Sequence, residues 1–567
     1  MAECTLITVP VHHEEQGGAV IKVAVKRKLG KIPNKRQLWF LDGGPGDSGR
    51  ESLTALVKAF SDSDDLDLYT FDHRGVGGTQ LLDCPEQQSP DSEGGREIVA
   101  KEWKDCIQYL QEHRDDLDVL TTTETAQDLG LLVELFREPN APVFIMGVSY
   151  GTYLANRYLQ LFPHQPDGVI LDGLVPADWS FSEFDRALDQ VGRKFLAECD
   201  NIPDCADHFR SDLTNLVLEL IEDLEAGRID RLGLTADMLK LLLGNMLMID
   251  STRPYIPAFL IRLERFSWYD KMAILHLFRL FSKDDGIAAE SPFHSQVLQR
   301  HISISEIWGE DAPALKKLEE DLAGYIMTTR VSTAFAATAA NWPIYNPGSL
   351  DDTTADYDGP LLMLHGGLDP TVPPERLEGM RHHFSAPNQH FVLFPQGGHV
   401  VINDNSCARL IYQQFLDSPT QVPDISCVSE IPSLSFFGDE KITELLFGSK
   451  DFWGNQITWN MQILKLLFHT PAIVVAVIFL LVGAFIIRKT SHNAKAQKPY
   501  FRMTVAAIIW VMVFFLWRLG GIILPYLFDY RAIHTIALVL ILVLLQIVIG
   551  VFLLRWVRRS PPLKTDA

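Results

Sequence analysis

The sequence predicts a mostly parallel α/β domain, interrupted by a helical insertion and followed by membrane-spanning helices. Three observations carry that expectation. Short apolar runs of the kind buried on both faces of a parallel sheet recur up to residue 178 and again from 356 onward. Between 179 and 355 they give way to segments with helical periodicity. From residue 470 onward there are three long apolar stretches with a single charge among them.

The chain opens on a strand-like run, 5–10 (TLITVP). The buried-strand candidates are 37–41 (QLWFL), 66–71 (LDLYTF), 143–147 (VFIMG), 168–171 (GVIL), 360–364 (PLLML) and 390–394 (HFVLF). Helical stripes over 124–138 and 150–162 lie between some of them, and strands alternating with helices make βαβ units. Helices expected at 181–199, 213–226, 236–248 and 314–326 fill the insertion. It would cover the C-terminal edge of the sheet, where open α/β sheets place their sites. The domain plan is a core in two parts, 1–178 and 356–435, with a lid at 179–355. A juxtamembrane linker at 436–469, spans within 470–557 and a cytoplasmic tail at 558–567 complete it.

Charge divides along the same lines. The 567 residues carry a formal charge of −22, but from Met461 onward there are 12 Lys+Arg against 2 Asp+Glu, a net of +10 that leaves −32 for the remainder. At 47% hydrophobic the chain is too apolar to be a disordered acidic polymer. The acidic body lacks the clustered cations that phosphate backbones require, so no nucleic-acid partner is expected.

Stretches 470–487 and 535–554 hold no charge, and 503–528 holds only Arg518, which would snorkel or face a partner helix. Each is long enough for the roughly 20 residues that cross a bilayer. Arg488, Lys489, Lys495, Lys498 and Arg502 crowd the first loop, and Arg555, Arg558, Arg559 and Lys564 the end, whereas the intervening loop holds only Asp529 and Arg531. The positive-inside rule therefore makes the first loop and C-terminus cytoplasmic and, after three crossings, puts the body on the outer, periplasmic side. Export of such a body expects a leader, and residues 1–4 carry neither a basic nor an apolar leader stretch. That leaves a start further upstream or a body that stays inside.

Six of the seven cysteines fall into local pairs, Cys84/Cys106, Cys199/Cys205 and Cys407/Cys427, and Cys4 is left over. None has zinc-ligand spacing, so no metal is expected. Disulfides would agree with an oxidising outer compartment, and reduced core thiols are the alternative.

The chemistry-bearing motif is Gly147-Val148-Ser149-Tyr150-Gly151, a G-x-S-x-G that follows a strand and opens a helix. That context makes a nucleophile elbow of Ser149, with the positive helix end beside the developing charge. Residues 42–46 (DGGPG) follow an early strand and suit an oxyanion loop, with the backbone N–H groups of Gly44 and Tyr150 as donors. Acid and base should follow in chain order. Asp369 lies after the strand 360–364 and His399 after 390–394, both at strand C-terminal ends. Asp404 and Asp356 are alternative acids, while His365 and His73 read as structural.

Together these residues resemble the α/β-hydrolase peptidases of the proline iminopeptidase and tripeptidyl aminopeptidase family, and the secreted tripeptidyl aminopeptidase-like branch in particular. The resemblance covers residues 4–427 and rests on GGPG (43–46), FDHRGVGGT (71–79), TTTETAQDL (121–129), GVSYGTYL (147–154), VILDG (169–173) and the two late loops. It implies an α/β-hydrolase fold and a serine exopeptidase without cofactor that acts on peptides with free N-termini. Lid acids would then bind the substrate ammonium, with Glu183, Asp185 and Glu198 as candidates. Cys199, Cys205, Cys407 and Cys427 sit where that branch often has cysteines. The chain departs from the family in Asp42, where His or Asn is usual, and in its three-span tail. Two other functions stay open: an esterase or lipase working at the bilayer, and a non-catalytic membrane binding or signalling scaffold.

Overall fold

The structure, a computed structural model, describes residues 2–431 apart from short stretches, of which 276–292 is the longest, and positions 434 and 436. The three expected spans, nearly all of the linker and Asp404 lie outside the described residues. Among the described residues no helix is long and apolar enough to cross a membrane. The chain divides into two units, Met1–Glu264 with Asp285–Gly438, and Arg265–Asp284 with Asp439–Ala567. The site described below lies in the first.

Eight strands form one sheet: β1 (Glu3–Pro10), β2 (Val20–Lys28), β3 (Arg36–Leu41), β4 (Leu66–Asp72), β5 (Val143–Val148), β6 (Gly168–Asp172), β7 (Leu361–Gly366) and β8 (Gln389–Phe394). Their order is β1-β2-β4-β3-β5-β6-β7-β8, with β2 antiparallel to both its neighbours and every pairing from β4 to β8 parallel. This is the α/β-hydrolase topology. The strands expected between 37 and 394 are all present. β2 was hidden in the sequence, because Lys22, Lys26, Arg27 and Lys28 surround the short buried run Val23–Ala24–Val25.

The helices of the core are α1 (Gly49–Ala59), α2 (Trp103–His113), α3 (Thr122–Phe136) and α4 (Tyr150–Leu161). Between β6 and β7 come α5 (Phe184–Asn201), α6 (Leu213–Glu225), α7 (Ala236–Met248), α8 (Ile256–Arg265), α9 (Gln296–Glu306), α10 (Leu315–Ala323) and α11 (Val331–Ala339). α12 (Glu378–His383) and α13 (Ser406–Asp417) flank the last strand. Strand side chains alternate between two apolar layers, and this is why the central strands read as unbroken apolar runs. Trp39, Ile145, Val169 and Met363 pack with Leu129 of α3 and Leu154 of α4, whereas Leu38, Met146, Ile170 and Leu362 pack with Leu53 of α1 and Ile411 of α13.

Each of the three local cysteine pairs is a disulfide, Cys84–Cys106, Cys199–Cys205 and Cys407–Cys427, with Cα–Cα separations of 5.4, 5.2 and 5.7 Å. Cys4 is exposed and outside the pairs.

In the DHRG segment at the end of β4, Arg74 makes a fully buried ion pair. Arg74 is fully buried and forks onto Asp128 of α3, with Nε donating to Oδ2 at 2.7 Å and a terminal nitrogen to Oδ1 at 2.9 Å. It also donates to the carbonyls of Pro10 and Val11, tying the β1–β2 hairpin to the core. Arg74→Met would leave Asp128, itself 0% exposed, with His13 as its one side-chain partner among the described residues. Removing one member of a buried pair costs about 3–5 kcal/mol. The variant is expected to lose that much in urea unfolding at neutral pH, and a loss below about 1 kcal/mol would refute the assignment.

Candidate active site

The register of β5 to β8 brings four loops to one edge. Val148 pairs with Asp172, Asp172 with Leu364, and Gly366 with Phe394, so the residues that follow β5, β7 and β8 emerge side by side. Ser149 sits between β5 and α4 with φ 53° and ψ −126°, the positive-φ geometry of a strained elbow. The turn is tight enough that a Cβ on Gly151 would run into the carbonyl of Leu41 at the end of β3, which explains the second glycine of the motif.

The structure brings Ser149, His399 and Asp369 into one hydrogen-bonded line. His399 Nε2 lies 2.8 Å from Ser149 Oγ, and His399 Nδ1 lies 2.7 Å from Asp369 Oδ2. Asp369 is 0% exposed, and its Oδ1 accepts the backbone N–H groups of Thr371 and Val372 at 2.8 and 3.1 Å. Burial works against the charge on Asp369, but the His399 and His365 imidazoles and these hydrogen bonds outweigh it and hold the carboxyl below its usual range. Burial likewise opposes protonation of His399, yet the charge and hydrogen bond of Asp369, with Asp172 and Asp250 beyond, raise its pKa above the ordinary value. Of the alternative acids, Asp356 is exposed, and His399 Nδ1 is bonded to Asp369.

His365 and His73 are buried beside the site. The Leu174 N–H donates to His365 Nδ1 at 3.1 Å, so the proton resides on Nε2, which donates to the Val372 carbonyl at 2.9 Å. Burial lowers the pKa of His365, and the ring serves as a neutral brace for the Asp369 loop. His73 is also held neutral by burial, with its ring 6.1 Å from that of Tyr150.

Gly44 and Tyr150 both border the cavity above Ser149, which measures about 240 Å³. Tyr150 opens α4, where backbone N–H groups have no partner within the helix. Asp42, the departure from the family pattern, braces its own loop. Its Oδ1 accepts the Gly43 N–H at 2.9 Å and its Oδ2 accepts the Ser52 hydroxyl. Burial and the nearby Asp47 push its pKa up to about 7.

The far wall of the cavity is aromatic and aliphatic, with Trp179, Phe181, Phe184, Ile307 and Phe335, and among the described residues no carboxylate lines it. Phe181 stacks on Phe335 at 5.4 Å and 3°, and on Phe184 at 6.2 Å. None of the three candidate lid acids is among these lining residues. Asp185 is 1% exposed and spent on structure. Its Oδ1 accepts the Thr328 hydroxyl and the N–H groups of Thr329 and Arg330, and its Oδ2 accepts the Ser332 N–H, so it caps α11 rather than facing a ligand. Glu183 pairs with Arg186 at 2.8 Å and Arg376 at 3.6 Å and borders a separate hollow behind Trp179. Glu198 lies further along α5 and does not line the cavity.

Sequence reasoning missed two carboxylates. Asp172, at the end of β6, accepts the N–H groups of Val401 and Ile402, both at 2.9 Å, and the Tyr412 hydroxyl at 2.6 Å, while its own carbonyl accepts the Ser149 N–H at 3.0 Å. One buried residue thus ties the backbone of Ser149 to the loop that carries His399. Burial raises its pKa to about 6 against these hydrogen bonds. Glu306 ends α9 on the face that Gln299 presents to the cavity, since i and i+7 share a face. Its Oε1 accepts the Thr122 N–H at 2.9 Å and the Tyr345 hydroxyl, and its buried Oε2 has no hydrogen-bond partner among the described residues. The VILDG run and the acid closing a helical stripe were the available signals, and neither carries a known spacing.

Comparison with known proteins agrees with this part of the molecule. The family described as TAP-like protein matches residues 326–427, which contain Asp369 and His399. The tripeptidyl aminopeptidase of Streptomyces coelicolor is 28% identical over 208 residues, covering 33% of this chain and 38% of that protein. Serine protease Hip1 of Mycobacterium tuberculosis is 26% identical over 189 residues, 31% of this chain and 36% of that one. Carboxylesterase B of the same species is 38% identical over 87 residues, 15% and 17% of the two chains. The match to the Streptomyces enzyme thus spans under two-fifths of its length. Among solved structures, the proline iminopeptidase of Mycobacterium smegmatis aligns with 73% of this chain and 99% of its own at 15% identity and a TM-score of 0.33. The chain carries a TAP-like segment within an α/β-hydrolase fold and is homologous to bacterial serine peptidases.

Proposed function

We propose that the protein is a serine peptidase that releases residues or short peptides from free N-termini through an acyl-enzyme. The observation that carries this reading is the Ser149–His399–Asp369 line, its base and acid lying within the TAP-like segment. Ser149 Oγ attacks the scissile carbonyl as His399 takes its proton, forming a tetrahedral oxyanion held by the Gly44 and Tyr150 amides. His399 then gives that proton to the leaving amine, and water, deprotonated by the same imidazole, releases the acyl group. Glu306 is the acid this reading assigns to the substrate ammonium: the carboxylate lies behind the lining, on the helix that presents Gln299 to the cavity, and keeps one buried oxygen without a partner among the described residues. The disulfides support a body in an oxidising compartment, and the three apolar stretches beyond residue 470 would anchor it in the bilayer.

A second reading, an esterase, draws on the aromatic cavity wall without a carboxylate and on the likeness to carboxylesterase B. One digest separates them. Peptides offered with free and with acetylated N-termini, alongside matched acyl esters, should show cleavage of the free peptides at least about 10-fold faster, as one ammonium–carboxylate contact would give. Glu306→Gln should shrink that preference. Equal rates on free and acetylated peptides with faster ester cleavage would select the esterase.

A further inference from the structure

The loop that carries His399 is held from two sides, and the second side is the lid. From the core, Asp172 takes the N–H groups of residues 401 and 402. From the lid, Asp250, two residues after α7, presents Oδ2 to the Gly398 N–H at 3.4 Å. Its Oδ1 is paired with Arg253 at 2.6 Å. The corner between them is fixed. Arg253 is 2% exposed and donates from Nε to the Leu247 carbonyl at 3.1 Å, and the buried Thr252 hydroxyl donates to the Met246 carbonyl at 2.6 Å. The approach to the loop is close enough that a Cβ on Gly398 would collide with both the Asp250 carboxylate and the Arg253 guanidinium. Met248, in the last position of α7, lines the cavity. The same short segment therefore touches the substrate space and the backbone next to the base.

We propose that Asp250, held by Arg253, is a positioning residue that couples the lid to the general base His399. This rests on the serine-hydrolase reading and adds to it a control of the base by the lid. Among the described residues, the charged and titratable groups facing His399 are Asp369 on the β7 loop, Asp172 on β6, Asp250 on the lid and, across Asp369, His365 and Arg253. Asp250 is the partly exposed carboxylate of this set, with 36% of its side chain accessible.

The signs follow from charge. His399 must be neutral to accept the serine proton, so the rate falls as pH drops through its pKa. Removing the negative charge of Asp250 lowers that pKa, and leaving Arg253 unbalanced lowers it further. Asp250→Asn keeps an oxygen for the Gly398 N–H and loses only the charge, whereas Asp250→Ala loses both.

The test is the rate at which a fluorophosphonate labels Ser149 in the full chain, measured from about pH 5 to 9, the range a histidine base titrates in, because it needs no peptide substrate. Asp250→Asn should move the acid limb down by on the order of half a pH unit with an unchanged plateau. Asp250→Ala should also lower the plateau several-fold. Unchanged limbs in both variants would overturn the proposal, and so would a lowered plateau in Asp250→Ala without a moved limb in either. If the alanine variant does not fold, the asparagine variant still decides through the limb. Wild-type protein that is folded but not labelled would instead overturn the hydrolase reading itself.

Discussion

Ser149→Ala is expected to reduce kcat/KM on the best peptide substrate by about 10⁶-fold, to the level set by the remaining oxyanion donors and binding. The size follows from the line's geometry. With Oγ gone, His399 Nε2 loses its 2.8 Å partner, and only a water can attack, without an acyl-enzyme to divide the reaction into two steps. Stability should barely change. Alanine meets the same φ of 53° that serine already tolerates, and the fold there is held by backbone groups, the Ser149 N–H on Asp172 and the Ser149 carbonyl on Thr152, which alanine keeps. An unchanged urea midpoint with lost turnover and lost fluorophosphonate labelling is the expected pair of results. Parental turnover in Ser149→Ala would sink the mechanism and leave the scaffold reading standing.

The elements that could be read from the sequence are those whose signal is local. The apolar strands from β3 to β7 announced themselves because both faces of each are covered, and β8 by its apolar run although Leu393 faces outward. The elbow was legible because a strained turn demands small residues at fixed offsets from Ser149. Chain order and places after strands singled out Asp369 and His399, which the structure brings into one hydrogen-bonded line with Ser149. What escaped depends on distance in space. β2 is recognisable only by its pairing with β1 and β4, since its sequence is half cationic. Asp172 and Asp250 act on a loop far along the chain, and no spacing rule links them to His399. Asp185 shows the complementary limit: the family resemblance offers it as a ligand for an ammonium, and only the fold shows five hydrogen bonds from the 328–332 segment using it.

Asp369→Asn tests the acid more sharply than alanine would. Oδ1 accepts two backbone N–H groups, from Thr371 and Val372, so the carbonyl of an asparagine amide must occupy that position. The NH₂ group is then forced into the place of Oδ2, 2.7 Å from His399 Nδ1. A donor there requires Nδ1 to accept, which puts the imidazole proton on Nε2, pointing at Ser149 Oγ. The base becomes a donor to the hydroxyl it should deprotonate. The fold should survive, because the amide oxygen of the variant would keep both backbone hydrogen bonds, and kcat should fall by about 10⁴-fold with little change in KM. The loss of the carboxylate charge also lowers the pKa of His399, so whatever activity remains should persist to lower pH than in the parent. The alternative tautomer is an NMR observable: the imidazole NH resonance should move from Nδ1 to Nε2 in the variant. A loss below about 10-fold would instead mean that another carboxylate orients the imidazole. Asp172 is the buried one within electrostatic reach, but its oxygens already hold Val401, Ile402 and Tyr412. It could serve His399 only by releasing the loop on which His399 stands.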